Sequence, residues 1–289
     1  METFEFRKVR DFGELIHDTI VFIKNVWKPL LKTYFTIAGI FLLANVVISA
    51  FLNSKLKGVV AASGRRSVER FRLYGWEYFF SIGVSMINII LVGLITLCFI
   101  SLYVEKGNEA PTTEEVWSYV KYYFLRYAVA SVLMILLLTT GTFFCLVPGI
   151  WLWPIVSLIL AVMVLDNGTL SYSFNKGFKL IQRNWWTTFG ALAIIYILAW
   201  GGSMAIVMPV TIINMGNMFI NPNPNISISL TILTSLLGAL CMCVFILPSV
   251  VVSLSYFSLS ELKEGTGLMS RINNLGKAQI DTDLPSEEY

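Results

Sequence analysis

Cys241 and Cys243 stand one residue apart and are the closest pair of thiols in the chain, with Cys98 and Cys145 distant in sequence. A zinc or redox site would need further ligands or an activated thiolate beside them. No histidine or carboxylate lies near the pair, and all four cysteines fall in or at the edge of apolar segments, where thiols serve as packing groups. The single histidine, His17, lies on an amphipathic stretch and reads as a solvated or headgroup-facing side chain. Ser49, Ser85, Ser131, Ser157, Ser203, Ser249 and Ser253 sit in apolar segments with no base partner. Helix packing and hydrogen bonding to the carbonyl four residues back account for such serines. A Ser–His or metal-dependent hydrolase is excluded on these grounds. No catalytic residue, metal ligand or cofactor-binding residue is assigned, no cofactor is expected, and the chain reads as a non-enzyme.

Ion- or proton-coupled transport has its own signature, an acid, lysine or histidine held inside the membrane despite the cost. The apolar segments hold none. They do hold Asn45 and Asn88, whose amides bond between helices or line a polar path, together with Pro154, Pro209 and Pro248.

The elements that carry these residues follow from the spacing of charge. No charged side chain occurs from Asn184 to Ser260, nor in Thr33–Ser54, Tyr78–Val104 or Tyr127–Leu165. A bilayer core of ~30 Å needs ~20 apolar residues at about 1.5 Å rise each. The two shortest runs hold one span apiece and the two longest hold two, placing spans near 33–53, 79–103, 126–146, 149–165, 187–210 and 230–257. Mean hydropathy of +0.72 and 13% charged residues, against about 25% in soluble domains, agree. Residues 1–260 form one membrane domain and 261–289 an acidic, Pro-containing tail expected to be disordered. Residues 1–32 lack the short apolar stretch and small-residue site of a cleavable signal, so the first span is expected to direct insertion. No basic soluble domain is left to bind nucleic acid.

Pro148-Gly149 is read as a turn between the third and fourth spans, and Asp166-Asn167-Gly168 as the stop of the fourth. Asn221 to Asn225 parts the fifth and sixth. Lys and Arg favour the cytoplasmic side. With both termini inside, only Lys55, Lys57, Arg65, Arg66, Arg70 and Arg72 lie outside, all in the first external loop. Trp27, Trp117, Trp185 and Trp186 then mark inward borders, while Trp76, Trp151 and Trp153 mark outward ones. An amphipathic segment precedes each odd-numbered span. Leu15, Ile16, Ile20, Ile23, Trp27 and Leu30 recur at helical spacing in the first, Val116, Tyr119, Val120 and Tyr123 in the second, and Leu170, Phe174, Phe178 and Ile181 in the third. The expected fold is therefore all-α and polytopic: six transmembrane helices in three hairpins, each preceded by an interfacial amphipathic helix.

Two places stand out as surfaces for a ligand. Arg65, Arg66, Arg70 and Arg72 alternate with Phe71, Tyr74 and Trp76, a pattern that suits anionic headgroups, an acidic partner or plain solvation. The second is Pro148-Gly149, then Val164-Leu-Asp166-Asn-Gly, then Asn175-Lys-Gly-Phe-Lys-Leu-Ile-Gln-Arg-Asn-Trp-Trp186. It resembles the membrane domain of the glycerophosphoryl diester phosphodiesterase family, six-span proteins of the bacterial inner membrane. That family shows Pro-Gly opening a span, an acidic residue at its end and an Arg-Ser-x-x-Leu-x-x-Gly-Asn-Trp pattern before the next. Pro148, Gly149, Asp166, Leu180, Asn184 and Trp185 match; Lys176, Gly177 and Arg183 replace its Arg, Ser and Gly. The arginine often found early in the family's Pro-Gly span is absent here. The resemblance implies the six-span fold and an inner-membrane location without the family's phosphodiesterase, which resides in a separate soluble barrel.

Asp166, Lys176, Arg183, Asn184 and Trp185 join the loop arginines as candidate contacts for lipid headgroups or a partner. Asn184 is equally suited to capping a helix junction that Trp185 and Trp186 anchor. Membrane lipids are the expected partners, with another membrane or envelope protein as the other candidate. The leading expectation is a lipid-facing or partner-binding module in envelope homeostasis. The runner-up is a transporter or channel for an amphiphilic or neutral solute, with its path lined by Asn45 and Asn88. A lipid-modifying enzyme working around Asp166, Lys176 and Arg183 comes third.

Overall fold

The computed structural model describes residues 4–62, 76–144, 146–220 and 224–265. Arg65, Arg66, Arg70 and Arg72 lie outside them, as does the tail beyond Gly265. The described residues are helical and without strands: α1 Phe12–Ala62, α2 Trp76–Glu105, α3 Thr113–Phe144, α4 Leu146–Leu165, α5 Leu170–Ile181, α6 Trp185–Ile220, α7 Pro224–Cys241 and, after a 3-10 turn over Met242–Phe245, α8 Ile246–Glu264. Six stretches are long and apolar enough to cross a membrane, the last combining α7, the turn and α8. The protein is an all-α, multi-pass membrane protein.

All three amphipathic segments are helical, but only the third is a helix of its own. The first runs unbroken into its span as the 51-residue α1, and the second does so in α3. No glycine, asparagine or proline lies between Leu30 and Tyr34, or between Tyr123 and Val129, to stop a helix. Pro29 removes one backbone donor from α1 where its charged half meets its apolar half. The buried stripe of that charged half is Leu15, Thr19, Phe22, Val26 and Leu30. Ile20 and Trp27, placed on the apolar stripe by spacing, face outward, and Lys28 lies 5.7 Å from the centre of the Trp27 ring.

Pro148-Gly149 does not form the turn between the third and fourth spans. Both residues lie in the first turn of α4, where a missing N–H costs nothing. Gly149 is needed for proximity: a Cβ there would sit 2.2 Å from Thr142 Oγ1 and 3.0 Å from Thr142 Cα. Asp166-Asn167-Gly168 does end α4, with Asn167 in the left-handed region at φ 50°. In the sixth span, Pro248 cannot donate to the carbonyl four residues earlier, and the chain tightens into the 3-10 turn just before it.

The core is shared by α2, the second half of α4 and α8, through Leu94, Ile95, Phe99, Ile155, Leu158, Ile159, Val250 and Leu254. The apolar window of α2 is 78% buried, against 11% for that of α1, so α2 is central and α1 peripheral. One end of the bundle is closed by the first residues of the chain. Phe6 packs edge-on against Phe22, Tyr103 and Phe257 at 5.4–5.8 Å between ring centroids. The Asn108 side-chain amide donates to the Phe4 carbonyl at 3.0 Å, and the Arg10 N–H to Ser258 Oγ at 2.9 Å.

Candidate functional site

The segment from Asp166 to Trp186 folds back along α4. Thr169 caps α5, accepting from the Tyr172 N–H at 3.4 Å. Gly177 packs on Ile159, where a Cβ would come within 2.7 Å of Ile159 Cγ1, and the Phe178 ring lies 6.0 Å from that of Trp151. Residue numbers thus rise along α5 as they fall along α4, so the two helices are antiparallel. The buried stripe of α5 is Ser173, Gly177, Leu180 and Ile181, which leaves Lys179 and Arg183 exposed.

Asp166 and Lys176 form an ion pair of 2.8 Å between Oδ2 and Nζ. The same ammonium lies 3.1 Å from Glu264 Oε1 at the end of α8. The Tyr256 hydroxyl donates to Asp166 Oδ1, and Ser260 donates to Glu264 at 3.0 Å. Partial burial disfavours the lysine's charge, but its bonds to Asp166 and Glu264 and the nearby Tyr256 outweigh that, and its pKa is raised. Lys176 is therefore a cation at neutral pH, held by two carboxylates. The pairing spends the charge of Asp166 and Lys176 on joining α4, α5 and α8, and leaves neither free to meet a headgroup.

Arg183 is placed differently. It lines a groove of about 470 Å³ with Val147, Ile150, Trp151, Gln182, Trp185 and Trp186. The Trp185 indole donates to the Trp151 carbonyl at 3.0 Å and stacks on Phe189 with ring centroids 4.8 Å apart and planes within 8°. Trp186 is 78% exposed. Since Trp151 touches Trp185, the two do not mark opposite borders of the bilayer as their spacing suggests. The return of α5 along α4 brings them together. Asn184 sits at the junction, its carbonyl accepting the first helical N–H of α6 from Thr188 at 3.1 Å and the Thr188 hydroxyl at the same distance. Both bonds at Asn184 are accepted by its backbone carbonyl.

Lys263, at the end of α8, donates to the Lys179 carbonyl and lies close enough to Lys179 and Arg183 to be repelled by both. Three cations therefore gather, and Arg183 among them lines the aromatic groove. Asp166 and Glu264 are committed to Lys176. The distance in sequence between Lys263 and Lys179 leaves no local signal that they meet. Arg10 is a further buried cation, with side-chain partners close by in sequence. Its side chain is buried, pairing with Asp18 at 2.8 Å and donating to the carbonyl of Phe6 at 2.7 Å.

The two amides donate hydrogen bonds between helices. Asn45 donates to Ser85 Oγ at 2.9 Å. Asn88, fully buried, donates to the carbonyls of Phe41 and Val84 at 3.2 and 3.0 Å. Both amides join α1 to α2. Comparison with known proteins adds no relative: no family model, curated protein or solved structure matches this chain.

Proposed function

We propose that the protein is a non-enzymatic module of the bacterial inner membrane that binds anionic phospholipid at the junction of α5 and α6, in the service of envelope homeostasis. The observation that carries this reading is the cluster of Lys179, Arg183 and Lys263, of which Arg183 lines the groove with Trp185 and Trp186. Guanidinium and ammonium groups attract phosphate, each contributing about 1 kcal/mol near an anionic surface. Indoles settle at headgroup depth, with the ring sheltered and one edge wet. Both termini facing the cytoplasm suits this arrangement, since the first residues of the chain and the end of α8 meet at one end of the bundle and most cations of the described loops gather with them. The resemblance of the Asp166–Trp186 segment to the phosphodiesterase-associated membrane domains supports the inner-membrane location.

Native mass spectrometry of the full chain, exchanged into mixed phosphatidylglycerol and phosphatidylcholine, tests the proposal. Retention of phosphatidylglycerol that falls at least about tenfold in the Lys179→Gln/Arg183→Gln/Lys263→Gln variant is expected. Equal retention of both lipids, or no effect of the variant, would overturn it. Substrate-dependent turnover by the reconstituted protein would overturn the non-enzymatic part. The bonds that Asn45 and Asn88 donate between α1 and α2 favour a structural part for these amides over a transport path.

A further inference from the structure

A second cavity, of about 410 Å³, lies where α2, α3, α4, α6 and the broken sixth span converge. Its size falls in the ~300–1,000 Å³ range of small-molecule sites. The wall is apolar apart from a few hydroxyls: Tyr127, Ser131, Ser157, Tyr196 and Ser249. Two of the serines are satisfied within their own helices, Ser157 by the Trp153 carbonyl at 3.0 Å and Ser249 by the Phe245 carbonyl at 3.4 Å. Ser131 is not. It is 5% exposed, and its Oγ has no hydrogen-bond partner.

The Tyr127 phenol comes to the same space, one helical turn before Ser131, and its position depends on Gly93. A Cβ at residue 93 would stand 2.6 Å from the Tyr127 hydroxyl. The broken sixth span supplies the opposite wall through Phe245, Pro248 and Ser249. Ile89 and Ile135 line the cavity and are also exposed on the outside of the bundle, so its mouth opens between α2 and α3 toward lipid. No charged side chain lines it among the described residues. An ion there would be desolvated without a counter-charge, which selects for an uncharged ligand.

We infer that this cavity binds a neutral single-chain lipid whose hydroxyl or carbonyl head bonds to Ser131 and Tyr127, with its chain leaving between Ile89 and Ile135. The site is separate from the cationic groove and stands whether or not phosphatidylglycerol binds there. The head completes the hydrogen bonding of a hydroxyl that has no partner in its own helix, and the chain covers apolar wall that would otherwise face a void.

The test is photolabelling of the full chain in phosphatidylcholine nanodiscs with a hexadecanol analogue carrying a diazirine beside the hydroxyl. Adducts are expected on the peptides holding Ser131 and Ser249, competed by unlabelled hexadecanol. The Tyr127→Phe/Ser131→Ala variant should lower them about fivefold or more, as loss of a hydrogen bond implies, and the space-filling Ser131→Leu variant should do the same. Tryptophan emission and thermal melting check that both variants fold; if neither folds, the position and competition of the wild-type adducts decide. Labelling that cannot be competed, that falls equally on lipid-facing Ile40 and Ile206, or that persists in both folded variants would overturn the inference. Unchanged labelling in the Lys179/Arg183/Lys263 variant is expected, so failure of the cationic groove is distinguishable from failure of the cavity.

Discussion

Trp185 hangs on Trp151: its indole N–H donates to that residue's carbonyl at 3.0 Å while its ring stacks on Phe189. The bond ties the start of α6 to the first half of α4 and holds one wall of the cationic groove. Trp185→Phe keeps a ring for stacking but loses the donor. A loss of about 1 kcal/mol is expected, read as a lower melting temperature in detergent, with Trp185→Ala costing about 3 kcal/mol or more.

Lys176 holds the carboxylates of Asp166 and Glu264 together. Lys176→Met leaves both acids without their cation. The pair is neither fully buried nor free in water, so the expected cost lies between surface and buried bridges, about 2 kcal/mol. The double variant Lys176→Met/Asp166→Asn should recover part of that loss. Thermal unfolding of the two variants and wild type checks this, and a double variant no better than the single would show that the Asp166–Lys176 pair is not what the lysine stabilises.

Arg10 anchors the first residues of the chain through Asp18 and the Phe6 carbonyl. Arg10→Ala strands the Asp18 carboxylate and frees the strap that carries Phe4 and Phe6. A cost of roughly 3 kcal/mol is expected for a bridge with one buried member. Limited proteolysis should cut between Phe4 and Asp11 many times faster than in wild type, while cleavage elsewhere stays slow.

Two glycines separate close approach from mere flexibility. Gly149→Ala forces a methyl into Thr142 and should destabilise by about 1–3 kcal/mol through overpacking. Gly201 lies mid-helix with nothing within 4 Å of an added Cβ, so Gly201→Ala should stabilise by up to ~1 kcal/mol. Opposite signs in the same melting assay are the expected result.

Much of the fold is legible in the sequence because the bilayer acts as a solvent: a long charge-free stretch has few places to go other than lipid, and Asn167 can take a left-handed conformation where α4 stops. The candidate site is legible only in part. The segment Asp166–Trp186 stands out by its resemblance to a family pattern. That Lys176 is spent on two carboxylates, whereas Arg183 is not, depends on Glu264 and Lys263, which arrive from the far end of the chain. Pro148-Gly149 misled for a related reason: proline and glycine mark turns in isolation, but the first turn of a helix tolerates the one and close helix contact demands the other.

Hydropathy and the position of charge alone determined that the chain crosses a membrane with six helices and that its cations stand at the margins, because those properties depend on each residue's own transfer between water and lipid. Only the tertiary structure decided which residues meet. It continued two amphipathic segments into their spans, laid α5 back against α4 to join Trp185 to Trp151, and opened the space in front of Ser131. Those outcomes depend on contacts between side chains far apart in the sequence, where shape and hydrogen-bond geometry choose among helix packings that hydropathy leaves equal.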